Sequence, residues 1–164
     1  MKTYAFIDAS NIIYGAREEG WFIDQKKLYF YLKEKFGVSK AFFYYGRDSQ
    51  SEKKEKFLKK LQYFGYTLRV KEIKRFGKRT KANCDVDLTM DMLLLAKEYQ
   101  TAIILTGDGD FAPLFNYLIS KKKDIVVISS PKRTAREIRS LLGGKLQSFD
   151  DLRKILEYKK RGRP

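Results

Sequence analysis

A short apolar run that ends in an acidic turn, within Thr101–Leu114, constrains the fold of this chain more than any other stretch. Residues 102–105 (AIIL) are continuously apolar, which is typical of a strand buried on both faces of a parallel sheet. The turn TGDGD follows, and apolar positions at helical spacing begin at Phe111. Ligands of open α/β sheets bind at this carboxyl end of the strands. Asp108 and Asp110 therefore mark the expected functional edge.

Strand-like and helix-like segments alternate along the rest of the chain. This alternation predicts a three-layer α/β/α fold with a central, mainly parallel sheet of about five strands. We expect one domain over residues 1–158 and a disordered basic tail over 159–164. The predicted strands are 3–7, 38–45, 66–70, 101–105 and 124–129, with a short edge strand at 145–149. The predicted helices are 24–36, one from 49 or 51 to 64, 84–99, 111–120, 134–142 and one from 150 or 151 to 158. Asp24 and Gly37 are the predicted ends of the first, Asp150 or Asp151 is the predicted cap of the last, and residues 8–11 are predicted to form a turn.

Composition excludes several classes of function. No apolar run approaches the roughly 20 residues of a membrane span, and Asp8 interrupts the apolar stretch that a signal peptide would need. These features predict a cytoplasmic protein. The single cysteine, Cys84, excludes a zinc site built from several cysteines. The chain has no histidine, which excludes Ser-His-Asp and Cys-His catalysis.

The net charge of +15, from 35 Lys and Arg against 20 Asp and Glu, favours a polyanionic partner. Nucleic acid is the first expectation and an anionic membrane surface the second. Two basic stretches are candidate RNA contacts, with a solvated basic surface as the alternative for each. Phe76 within the first of them can stack on a base. The candidate residues are Lys74, Arg75, Phe76, Lys78, Arg79, Lys81, Arg133, Arg136 and Arg139.

Aspartates dominate the candidate site. Asp8 and Asp108 end two strands of the predicted parallel sheet, so their carboxylates can meet at one edge. Asp110 lies at a helix start, where an acidic residue is also a common N-cap. Carboxylates without histidine or cysteine form a hard-oxygen site suited to Mg²⁺ or Mn²⁺. Such ions would activate a water and stabilise the leaving oxygen of a phosphodiester.

The helix predicted from Cys84 adds two more candidates. Asp85 and Asp91 lie about 60° to either side of its apolar stripe and about 9 Å apart along the axis. Asp91 is surrounded by apolar residues, where a carboxylate is costly unless it is paired or bound to a cation. We therefore rank Asp91 ahead of Asp85 as a ligand. Three roles stay open for Asp85: ligand of a second metal, hydrogen-bond partner of a metal ligand, or cap of the helix.

Three motifs occur in order along the chain: FIDASN from Phe6, K-x-x-x-D-V-D-L-x-x-D from Lys81 and LTGDGDF from Leu105. Together they resemble the NYN domain family of PIN-like, metal-dependent ribonucleases, close to its LabA-like branch. The resemblance extends over about 6–149 and implies a PIN-like fold and RNA cleavage with Mg²⁺ or Mn²⁺. It also implies functional roles for Asp8, Asn11, Asp85, Asp91, Asp108 and Asp110. Asn83-Cys84 stands where the family usually has small residues.

The sequence thus predicts an Mg²⁺- or Mn²⁺-dependent ribonuclease, acting as an endonuclease. Asp8, Asp91, Asp108 and Asp110 are the predicted catalytic acids, and Asn11 and Thr106 are predicted to position groups around them. The alternative is a non-catalytic RNA-binding module with a vestigial or structural acidic site. A homodimer is compatible with the aromatic residues at 29–31, although burial in the core explains them equally well.

Overall fold

The structure, a computed structural model, describes residues 1–47, 51–72, 74–76, 79–81 and 83–160, with the backbone alone for those between 73 and 82. Helices and strands alternate along most of the chain. In order they are β1 (Thr3–Asp8), α1 (Ala9–Glu18), α2 (Gln25–Phe36), β2 (Val38–Arg47), α3 (Glu52–Phe64), β3 (Thr67–Glu72), β4 (Lys74–Phe76), β5 (Arg79–Lys81), α4 (Asp85–Leu94), β6 (Thr101–Leu105), α5 (Ala112–Ser120), β7 (Asp124–Ser129), α6 (Arg136–Leu142), β8 (Leu146–Ser148) and α7 (Arg153–Leu156).

The central sheet has six strands in the order β3-β2-β1-β6-β7-β8, and every pairing in it is parallel. This confirms the predicted α/β fold, and the short edge strand predicted at 145–149 is found as β8. β1 lies in the middle, with Ile7 opposite Leu105 of β6 and Asp8 opposite Tyr44 of β2. The carboxyl ends of all six strands consequently meet at one edge, which is where Asp8 is found.

Two apolar cores cover the two faces of this sheet. Ala5 and Ile7 of β1 face the core that α1, α2, α3 and α7 complete. Tyr4 and Phe6 face the opposite core, which contains apolar residues of α4, α5 and α6. Because side chains alternate along a strand, Asp8 has the same orientation as Tyr4 and Phe6. The carboxylate at the end of β1 therefore lies on the face that α4 covers.

Several predicted helix ends are confirmed. The Asp24 carboxylate accepts hydrogen bonds from the backbone N–H groups of Lys26 and Lys27 (3.1 and 3.2 Å), which caps α2. Gly37 ends this helix in the left-handed conformation (φ 64°), where glycine carries no steric penalty. None of the helices in the described ranges is long and apolar enough to span a membrane.

Other local predictions are wrong. Residues 8–11 open α1 because the Asp8 carboxylate accepts the Asn11 N–H and starts a helix in place of a turn. α4 ends at Leu94, five residues early, and the Tyr99 hydroxyl folds back to the Met92 carbonyl (2.7 Å). α6 begins at Arg136, not at residue 134. Residues 150–158 contain a 3₁₀ turn before the short α7, and neither aspartate at 150–151 is its cap. Tail residues 161–164 lie outside the described part.

Candidate functional site

Four aspartates converge at the carboxyl edge of the sheet. Asp8 ends β1, Asp108 follows β6, Asp110 lies in the 3₁₀ turn after it, and Asp85 is the first residue of α4. Asp85, Asp108 and Asp110 each offer a carboxylate oxygen, and these oxygens all lie within 4.8 Å of one another. Asp8 lines the same cleft of about 430 Å³ as Asp85 and Asp108. The structure therefore brings strand-end and helix acids into one cluster.

Hydrogen bonds fix the Asp8 carboxylate. The buried Thr106 hydroxyl donates to Asp8 Oδ2 (3.0 Å), and Thr106 Oγ1 in turn accepts the Asp108 N–H (3.3 Å). Asn11 donates its backbone N–H to Asp8 Oδ1 (3.5 Å), and its side-chain oxygen accepts the Gly107 N–H (3.1 Å). Burial raises the pKa of Asp8 above its usual range, despite these hydrogen bonds. Thr106 and Asn11 thus hold the two strand ends together.

Asp85 sits where negative charge accumulates. Burial raises its pKa to about 6, and the neighbouring Asp8 and Asp108 carboxylates contribute to the rise. Its backbone N–H donates to Asn83 Oδ1 (2.7 Å), so Asn83 orients the start of α4. A group of acids that raise one another's pKa is a site that a divalent cation would neutralise. Asn83 was not among the predicted site residues, although an asparagine before a helix is a recognisable capping signal.

Close packing sets the path of the acidic turn. A Cβ on Gly107 would collide with the Arg133 carbonyl oxygen and would stand 2.5 Å from Ser129 Oγ. The Gly107 carbonyl accepts the Ala135 N–H (3.0 Å) from the same neighbouring segment. Glycine is therefore required here because another backbone passes against the turn. This approach places the loop after β7 beside the acids.

Arg133 belongs to the acidic cleft. It lies in the 3₁₀ turn Pro131–Arg133, before α6 begins, and its guanidinium pairs with Glu18. It lines the cleft together with Asp8, Asp85 and Asp108. The spacing of Arg133, Arg136 and Arg139 predicts one helix face, but only Arg136 and Arg139 belong to the helix. The other two arginines are exposed on α6, and the Arg139 guanidinium reaches the Pro131 carbonyl.

Asp91 is placed away from the acidic cluster. Its carboxylate accepts hydrogen bonds from the Tyr44 hydroxyl of β2 (2.8 Å) and from Arg69 Nε of β3 (2.9 Å). β2 and β3 lie on the opposite side of β1 from β6 and the acidic turn that follows it. The Asp91 side chain is only 19% exposed. The structure pairs Asp91 with a cation and places Asp85 among the acids, the reverse of the order expected from the sequence. Nothing in the sequence around Tyr44 or Arg69 indicates that these residues bind Asp91.

The first basic stretch forms a hairpin in which β4 pairs with β5 in antiparallel register. This hairpin directly precedes Asn83 and α4. Lys78 and the side chains of Lys74, Arg75, Phe76, Arg79 and Lys81 lie outside the described part, and their predicted RNA contacts stay predictions. In β3, the strand before the hairpin, the Arg69 guanidinium lies 5.2 Å from the centre of the Phe42 ring.

Comparison with known proteins agrees with this architecture. The profile of the NYN domain family matches residues 2–142. The "Low amplitude and bright protein LabA" of Synechococcus elongatus is 31% identical over 169 aligned residues, which cover 97% of this chain and 89% of that protein. A crystal structure of a protein of unknown function from Vibrio parahaemolyticus has the same fold, with a TM-score of 0.79 and 23% identity. That likeness covers 94% of this chain and 95% of the other.

Proposed function

Because the chain belongs to the NYN domain family, whose members are generally nuclease-like, we propose that it is a metal-dependent ribonuclease. The substrate is RNA, and the reaction is hydrolysis of a phosphodiester bond at the carboxyl edge of the sheet. The observation that carries this proposal is the convergence of three carboxylate oxygens, from Asp85, Asp108 and Asp110, within 4.8 Å. Asp8 completes the site from the end of β1.

The residues present fit a hard divalent cation. The donor set is all oxygen, and the chain contains no histidine to select a softer metal. Burial, together with the uncompensated charges of Asp8 and Asp108, raises the pKa of Asp85 to about 6. Asp85, Asp108 and Asp110, with Asp8 beside them, would hold Mg²⁺ or Mn²⁺. When bound, such an ion would activate water and stabilise charge on the leaving oxygen.

The chain's own residues supply positioning. Thr106 and Asn11 fix the Asp8 carboxylate, so this acid cannot turn away from the cleft. The Asp110 backbone N–H donates to Asp108 Oδ1 (2.9 Å), which holds the two acids of the turn in a fixed relation. Arg133, restrained by Glu18, offers guanidinium hydrogens at the cleft wall, where an RNA phosphate would bind. We assign Asp91 to structural support of α4.

The same geometry supports a path for the RNA. The β4–β5 hairpin, with its lysines and arginines, leads directly into the start of α4 beside Asp85. We propose that this hairpin and the exposed Arg136 and Arg139 contact the RNA backbone on either side of the acids. Binding should then weaken steeply as salt concentration rises. The cleft is open at the sheet edge, which suits an internal segment of RNA, and a circular RNA substrate tests this endonuclease mode.

A cleavage assay tests the proposed function. Labelled single-stranded and hairpin RNAs are incubated with Mn²⁺, with Mg²⁺ and with EDTA. Asp108→Asn should abolish cleavage, whereas Asp124→Asn is the matched control because Asp124 is exposed at the opposite, amino-terminal end of β7. Cleavage by the Asp108 variant at the wild-type rate would refute this site. Salt-sensitive binding without any cleavage would indicate a non-catalytic RNA-binding module.

Two further properties are part of the proposal. We propose a cytoplasmic location, where RNA is available. We also propose a homodimer, for which Phe30 on α2 offers a 46% exposed ring. The neighbouring Tyr29 packs edge-on against Tyr66, and Tyr31 packs against Phe36, so these two rings serve the fold. Sedimentation of the wild type and of Phe30→Ser distinguishes a dimer from a monomer.

A further inference from the structure

A second cleft adjoins the acidic cluster. It lies between α5 and α6 and has a volume of about 590 Å³, within the range of about 300–1,000 Å³ that is usual for small-molecule pockets. Asp110 lies at the junction, since it belongs to the acidic cluster and also lines this second cleft. The remaining wall is formed mainly by Ala112, Pro113, Asn116, Glu137 and Leu141.

The lining chemistry excludes a phosphate and favours a neutral group with N–H donors. Asp110 and Glu137 are acidic, Asn116 carries an amide, and no cation is found among the described residues of this wall. A phosphate would be repelled by the two carboxylates. Pro113 and Leu141 offer apolar contact to a flat ring. A nucleobase, which is flat, uncharged and edged with hydrogen-bonding groups, matches this combination.

Glu137 is the group best placed to recognise such a base. Its carboxylate lies against the acidic turn, with Oε2 3.1 Å from where a Cβ on Gly109 would stand. A side chain at position 109 would therefore obstruct the approach of this carboxylate. Glu137 makes no ion pair with any other residue in the described ranges. With respect to the described part of the chain, its two oxygens are available to accept hydrogen bonds.

We propose that this second cleft binds a guanine base of the RNA, next to the phosphate that is cleaved. The inference rests on the proposed function. Guanine alone among the four bases presents two adjacent donors, N1–H and N2–H, which match the two oxygens of Glu137. The Asn116 amide can donate to guanine O6. Adenine and cytosine offer one amino group and uracil one imino group on the same edge, so each leaves a Glu137 oxygen without a base donor.

Cleavage of a random-sequence RNA library tests this specificity, with sequencing of both ends of each product. The wild type should prefer guanine at one fixed position beside the cut by about tenfold, as expected for a bidentate contact. Glu137→Gln keeps the shape of the side chain but loses one acceptor, and should reduce the preference at least about threefold while cleavage continues. Asn116→Ala should also weaken it. Glu34→Gln, an exposed glutamate on α2, is the control that should leave the preference unchanged.

The outcomes separate the two proposals. Cleavage with no base preference, or with a guanine preference that Glu137→Gln leaves intact, would overturn the guanine cleft and leave the ribonuclease standing. If the wild type does not cleave RNA, equilibrium dialysis with the four nucleoside 5′-monophosphates decides the question, because these ligands contain no phosphodiester bond. Tighter binding of GMP that is lost in Glu137→Gln supports the cleft. Equal binding of all four nucleotides overturns it.

Discussion

Replacing Asp85 with asparagine should stabilise the metal-free protein near neutral pH by about 1 kcal/mol. Most substitutions of a helix residue destabilise a protein, so the predicted sign is unusual. It follows from the position of Asp85, which is partly buried beside the Asp8 and Asp108 carboxylates. Asparagine has nearly the same shape and no charge. The substitution thus removes the cost of burying a charge and its repulsion from the Asp8 and Asp108 carboxylates, while keeping the side chain in place.

The magnitude follows from the pKa. A rise from 3.8 to about 6 corresponds to about 3 kcal/mol of unfavourable free energy for the ionised form. Solvent reaches this carboxylate, so screening reduces the value to about 1–2 kcal/mol. The charge also interacts favourably with the amino-terminal end of α4, by about 0.3–1 kcal/mol, and asparagine loses this contribution. The net gain is about 1 kcal/mol, because the cost of burying the charge and its repulsion from the two carboxylates together outweigh the contribution of the helix end.

Denaturant unfolding in EDTA measures this effect at several pH values. The pKa of Asp85 is higher in the folded than in the unfolded chain, so its contribution to stability is present at low pH and is lost as pH rises through about 6. The advantage of Asp85→Asn should therefore be largest above about pH 7 and should disappear below about pH 4. Asp87→Asn, an exposed residue on the same helix, is the control. A variant less stable than wild type at neutral pH, or a gain independent of pH, would refute the reasoning.

Three other outcomes are expected. Mn²⁺ should raise the Tm of the wild type more at about pH 7.5 than at about pH 5, because protons compete with the cation for the acids; equal rises would argue against a carboxylate site. Asp91→Asn should lower the free energy of unfolding by about 1–3 kcal/mol, because two donors lose a charged acceptor, yet keep the Mn²⁺ effect. Gly107→Ala should cost about 1–3 kcal/mol by overpacking, whereas Gly144→Ala, with open space around it, should not; equal unfolding midpoints for the two glycine variants would contradict this.

Local signals in the sequence were sufficient for the framework of the fold. Apolar runs identified the strands of the central sheet, and Asp24 and Gly37 marked the ends of α2 because capping depends on adjacent residues. The meeting of Asp8 and Asp108 was also predictable, since parallel strands end at one edge. The three ordered motifs were enough to identify the NYN domain family, which the comparisons confirm.

Tertiary structure decided which acid of α4 joins the site. Helical periodicity places Asp85 and Asp91 on equivalent flanks of the apolar stripe, so spacing alone could not rank them. The packing of Leu88 and Met92 in the core sets the rotation of α4, and β2 and β3 then supply partners for Asp91. The cleft between α5 and α6 also could not be predicted from the sequence. The two helices that form its walls are separated in the chain by β7 and come together only in the folded protein. Neighbours along the chain determine strands and caps, whereas pairing between distant elements determines which carboxylates share a site.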